Sequence, residues 1–181
     1  MAKTAGVRRP VFFPELATLK IGCMDKKNFL RNRLVPLLRQ LPSDTPPQWG
    51  RMTLQQMVEH FSDAMRMASG KMVVTDIVTP SEHLERMREF MKSDKPFREN
   101  TVNPLMPVVP APVKNPSLDA ALDELQQEVD HFFTVFEKNN QGITRNAFFG
   151  DLDFEENLQL LTKHAQHHLK QFGVQINNDS Q

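Results

Sequence analysis

Three of the six histidines stand almost together, in His164-Ala165-Gln166-His167-His168, and imidazole is the side chain that ligates metals and moves protons near neutral pH. On a helix, residues four apart lie one above the other, so His164 and His168 aim their rings at a common point while His167 turns toward solvent. A buried neutral imidazole must satisfy one donor and one acceptor. Two side by side bury several polar atoms unless something binds them, and a divalent cation would do so. A zinc-type site takes about three protein ligands plus an open position for water, so the pair needs one more ligand from a neighbouring helix. Spacing alone leaves a second reading open, a His-rich surface patch without metal.

His60 is the candidate for the third ligand. At about 100° per residue, it falls off the stripe of Leu54, Phe61 and Met65, on a flank shared with Met57 and the small Ala64. The flanks of adjacent helices converge in a bundle; the alternative is a surface histidine. Glu59 and Asp63 diverge from His60 around the helix, so neither makes a convincing fourth ligand. With His167 they are the candidates for a general base, none of them placed by the sequence. His83 and His131 are isolated and expected half exposed. Cys23 is the only cysteine; it allows no internal disulfide and reads as a small buried apolar residue.

The elements that must position these rings are helical. Asp25 caps a first helix to about Leu41, with Phe29, Leu30, Leu34, Leu37, Leu38 and Leu41 at helical spacing and a kink or break expected at Pro36. Thr53 with Gln56 forms a capping box for a second helix from Leu54, closed by Gly70. The β-branched run over 71–80 reads as an extended crossing rather than a strand, since a lone strand has nothing to pair with. Ser81 is expected to cap a short helix from Glu82 to about Lys92. Six prolines between Lys95 and Pro116 exclude regular structure there; Leu105, Met106, Val108 and Val109 suggest that this long loop packs on the domain and roofs a pocket. Ser117 caps a third long helix through Phe136. Asp153 with Glu156 opens the last helix, which is read to Phe172 with Gly173 just beyond it. Four principal helices without period-two alternation make an all-α helix bundle over 25–173. Residues 1–24 read as an N-terminal arm anchored by Phe12 and Phe13, and 174–181 as a C-terminal tail.

Composition agrees with one domain. The chain has 181 residues, 39% of them hydrophobic and 24% charged, enough for a single core. Thirteen Phe and ten Met without any Tyr describe a soft aromatic and thioether interior. Twenty-two basic residues balance twenty-two acidic ones, so no global field draws the protein to nucleic acid or anionic lipid. No apolar stretch approaches the ~18 residues of a membrane span, the first thirty lack a signal-peptide core, and a cytoplasmic location is expected.

Trp49-Gly50-Arg51-Met52-Thr53-Leu54-Gln55-Gln56-Met57-Val58-Glu59-His60, taken with Lys163-His164-Ala165-Gln166-His167-His168-Leu169-Lys170-Gln171-Phe172-Gly173, resembles the DinB-like superfamily. The likeness runs from about residue 25 onward. It implies a four-helix bundle whose three histidines, here His60, His164 and His168, hold a divalent metal ion, often zinc or nickel, with water in the remaining positions. It implies relatives that are thiol-dependent S-transferases or metal-dependent hydrolases and isomerases, with homodimers common. Two functions follow: a metal-dependent enzyme, hydrolase or thiol-dependent transferase, with an open three-histidine site and a small-molecule or thiol substrate; or a non-enzymatic interaction module stabilised by its metal. The Pro-rich segment 96–116 is longer than the simplest members of the superfamily need.

Overall fold

The computed structural model describes residues 19–20, 25–101, 109–174 and 176–177. Along the chain, β1 (Leu19–Lys20) precedes a helical stretch in three parts: α1 (Lys26–Asn28), a π turn (Phe29–Arg33) and α2 (Leu34–Arg39). Asp25 caps it by accepting from the Lys27 amide. Of the kink or break expected at Pro36, the break is absent, α2 running through the proline, and the irregularity is the π turn just before it. One turn earlier, the Leu34 N–H reaches back to the Phe29 carbonyl, and the widened turn makes room for a ring that would otherwise press on the residue four before it. The helix therefore continues to Arg39.

Helix α3 (Leu54–Ala68) starts on the Thr53–Gln56 box, with both reciprocal bonds formed, and Gly70 follows it at φ 75°. Residues 71–80 are extended without strand pairing, as expected. Helix α4 (Ser81–Lys92) begins one residue early: Pro80 takes the cap position, and Ser81 makes no capping bond. Proline's fixed φ suits a helix start, so the hydroxyl is not needed there. Helix α5 (Leu118–Lys138) is capped by Ser117, which accepts from the Ala120 amide.

The segment between α5 and the last helix was not foreseen. Strands β2 (Thr144–Asn146) and β3 (Gly150–Leu152) form an antiparallel hairpin in which Arg145 faces Asp151. The Asn146 side chain accepts from the Phe148 and Phe149 amides, and Gly150 supplies φ 76°. These are turn-forming features that the reading for period two overlooked. Helix α6 (Phe154–Gln171) opens on the Asp153–Glu156 box and ends with Gly173 at φ 84° and the Val174 amide bonded to the Leu169 carbonyl. Finally, β4 (Ile176–Asn177) pairs in parallel with β1. The expected anchors Phe12 and Phe13 lie outside the described residues.

The main core joins α1–α2, α3, α5 and α6, with Phe29, Phe61, Phe132, Leu125 and Leu169 all at most 2% exposed. It is a bundle of four principal helices, and the fold is all-α apart from these short strands. Helix α4 lies outside the bundle against α6. There Met91, Phe149, Leu152 and Leu160 make a second, smaller core. Arg88 ties this layer together: it donates to the carbonyls of Phe149 and Asp151 and pairs with Glu156 at 2.5 Å. No helix among the described residues is long and apolar enough to cross a membrane.

Candidate metal centre

His60 sits on the middle of α3, and His164 and His168 lie one turn apart on α6. The core stripe of each helix faces the bundle, so the flanking histidines meet across the α3–α6 seam. His60 Nε2 is 3.1 Å from His164 Nε2, and His168 Nε2 is 2.8 Å from the same atom. The three rings thus converge, each able to offer one nitrogen to a single cation. Two imidazoles bonded to one tetrahedral ion at ~2.0–2.1 Å would hold their nitrogens about 3.4 Å apart, so an ion fits once these nitrogens spread by roughly 0.3–0.6 Å.

The protonation state suits a cation as well. Burial holds all three imidazoles below their ordinary range. For His164 the neighbouring His168, His60 and His167 push further the same way. His168 is lowered to about 3 by burial and then by His60, with its bond to Gln171 opposing. Burial lowers His60 against the pull of Asp63. Metal ligation requires neutral imidazole, and the lowered values favour that form in all three rings.

The tautomer of His168 follows from its neighbours. Gln171 Nε2 donates to the Trp49 carbonyl at 2.8 Å, which turns Oε1 toward His168 Nδ1, also at 2.8 Å. An amide oxygen only accepts. Nδ1 therefore carries the proton, and the Nε2 lone pair faces the cluster.

The chain belongs to the DinB superfamily. The family's model matches residues 28–172, which spans all three histidines. The superfamily is generally metal-binding, and the histidine cluster is compatible with that. Among curated proteins and among solved structures, nothing matches significantly.

Other candidates fall differently. Glu59 is buried, but its carboxylate does not join the histidine cluster; it bonds the Pro-rich segment, accepting from the amides of Lys114 at 2.7 Å and Asn115 at 2.9 Å. Burial, the largest single effect, raises its pKa, but these bonds together with those from the Gln55 and Asn115 side chains hold it below the usual carboxylate range. Asp63 is taken by Arg66 and Lys114. His83 and His131 are exposed rather than half exposed. His167, expected toward solvent, is half-buried: Trp49 and Phe97 stand edge-on to its ring, at 5.7 and 6.0 Å between centroids. The turn before α3 and the chain after α4 cover that side of α6, which helical periodicity alone does not reveal.

The expected roof is present in part. Phe97 lies edge-on to His164 at 6.3 Å, and Gln55, Gln56 and Glu59 fasten residues 111–115 to α3. Val109, expected to pack, is instead 72% exposed, and, among the described residues, 111–115 are held by polar bonds to their backbone. Leu105, Met106 and Val108 lie outside the described residues. Sequence reasoning missed Gln171 and Phe97. The first carried a usable signal, since it stands three residues after His168 and so shares its side of the helix.

Proposed function

We propose that the chain holds one divalent ion, zinc or nickel, on His60, His164 and His168, and uses it as a metal-dependent enzyme, a hydrolase or a thiol-dependent transferase. The observation that carries this reading is the convergence of three imidazoles with no cysteine or carboxylate joining them among the described residues. A closed structural site takes four protein ligands, whereas a catalytic one keeps a position open, and imidazole donors suit zinc and nickel. When bound, such an ion supplies Lewis acidity, lowering the pKa of a water toward ~7 or stabilising a thiolate.

The chain's own residues supply the rest. Gln171 orients His168, and Phe61 and Phe97 stand against the His164 ring, which stays partly exposed. Of the three bases named from the sequence, Glu59 is committed to the strap and Asp63 to its ion pairs. His167, whose ring is also bonded to the Phe97 backbone, is the candidate left to exchange a proton with a small substrate.

Protein produced without a histidine tag should contain close to one equivalent of transition metal by elemental analysis; material free of metal after growth in zinc and nickel would sink the reading. His164→Ala should lose the ion yet keep a cooperative thermal transition. If the metal-free variant no longer folds, the ion is structural and the interaction-module alternative gains. A screen of hydrolase substrates and low-molecular-weight thiols for chelator-sensitive turnover tests the catalytic half.

A further inference from the structure

Gln171 has no charge, takes no part in the cluster and sits at the very end of α6, yet it is 3% exposed with both ends of its amide bonded. Its oxygen receives the His168 Nδ1 proton, and its nitrogen donates to the carbonyl of Trp49. The turn that provides this carbonyl is pinned to the same helix end, because the Gln48 amide donates to the Gln171 carbonyl at 2.8 Å. Gly50 completes the arrangement. It adopts φ 80°, and a Cβ there would stand 2.7 Å from Gln171 Nε2. Any larger residue at position 50 must displace the amide that faces His168.

Resting on the metal-site reading above, we propose that the Gln48–Gly50 turn is the outer support of the centre and that Gln171 is its positioning residue. Together they lock His168 in the tautomer whose Nε2 lone pair is free. Without the Gln171 acceptor, a neutral His168 is free to place its proton on Nε2, and that nitrogen is then no ligand. Partners of this kind, which accept from the far nitrogen of a ligating histidine, typically change metal affinity by ~10–100-fold when removed. The Trp49-Gly50 pair thereby acquires a role at the ion without touching it. Its bulk serves the same end, since the Trp49 ring also closes the side of His167.

The test uses the full chain and zinc alone, with affinity measured by competition against a chromophoric chelator. Gln171→Leu should weaken zinc binding by ~10–100-fold, and Gly50→Ala, which changes neither a ligand nor Gln171 but pushes its amide aside, should weaken it at least threefold. Affinities within a factor of two of the parent in both variants, each folded by circular dichroism, overturn the inference and leave the metal-site reading intact. A parent chain that takes up no zinc or nickel overturns that reading and this inference with it. Should Gln171→Leu fail to fold, the metal-free parent decides: long-range proton–nitrogen correlation spectra should show His168 protonated at Nδ1, and a proton on Nε2 overturns the proposal. A merely structural role for Gln171 would not move that signature.

Discussion

Glu59 and His60 are neighbours in the chain with different partners: one carboxylate holds the Pro-rich strap, and the next side chain joins the imidazole cluster. Two successive backbone amides aimed at a buried carboxylate form a small anion nest, and charge-assisted bonds of this kind are worth about 1.5–3 kcal/mol each. We expect Glu59→Ala to destabilise the fold by about 2–4 kcal/mol in urea titrations, the two bonds being partly replaced by water, and to abolish hydrogen-exchange protection of the Lys114 and Asn115 amides. Protection that survives would mean the strap is held by something else. The polar residues of this part of α3 were legible only as an amphipathic face. That Glu59 would bond backbone some 55 residues away was not, because an amide leaves no mark in the sequence.

Helix α4 shows the same logic one level up. Its apolar positions are few, and much of what fixes it is Arg88, which reaches two hairpin carbonyls and Glu156. Arg88→Met should take this donor from the two hairpin carbonyls, Glu156 keeping Lys92, and cost about 1–3 kcal/mol, with zinc affinity little changed, since Arg88 bonds none of the three histidines. Glu156 adds a pH dependence. Burial raises its pKa, but Lys92, the Asp153 amide and Arg88 together hold it below the ordinary carboxylate range. A depressed folded-state value means stability that is complete above the unfolded pKa, ~4.3, and is lost as pH falls below it, where the unfolded chain binds the extra proton. Glu156→Gln should flatten the stability curve between roughly pH 5 and 3; an unchanged slope there would contradict the assignment. Four of the five helix starts were readable from caps, because a capping bond is local. The hairpin was not, although Asn146, Gly150 and the facing Arg145 and Asp151 were all available as turn and pairing signals. Strands of three residues are too short to show a period.

For the whole molecule, the proposed ion and the fold would be linked by mass action. An ion that binds only the folded chain adds stability set by its free concentration, about 2.7 kcal/mol at a hundred times Kd. For a domain of this length that is a rise in Tm of several degrees. We expect Tm to climb with the logarithm of free zinc and to return to the His164→Ala value under excess chelator. A Tm indifferent to zinc in the parent would show that no specific folded-state site exists. At this scale the sequence was most informative: apolar stripes on four helices and three histidines at their flanks specify a seam, and the seam is where the rings meet. What it could not convey was the covering of that seam, because Trp49, Phe97 and the strap arrive from loops, whose paths obey no period.

One distance along the chain bears on biosynthesis. His60 and His164 are separated by 104 positions, and α6 is the last helix of the bundle. While the ribosome is still making α5, the emerging polypeptide owns a single one of the three imidazoles and cannot grip an ion at this place. An ion held as proposed would therefore be taken up late, once the final helix has been made and its two histidines can join His60.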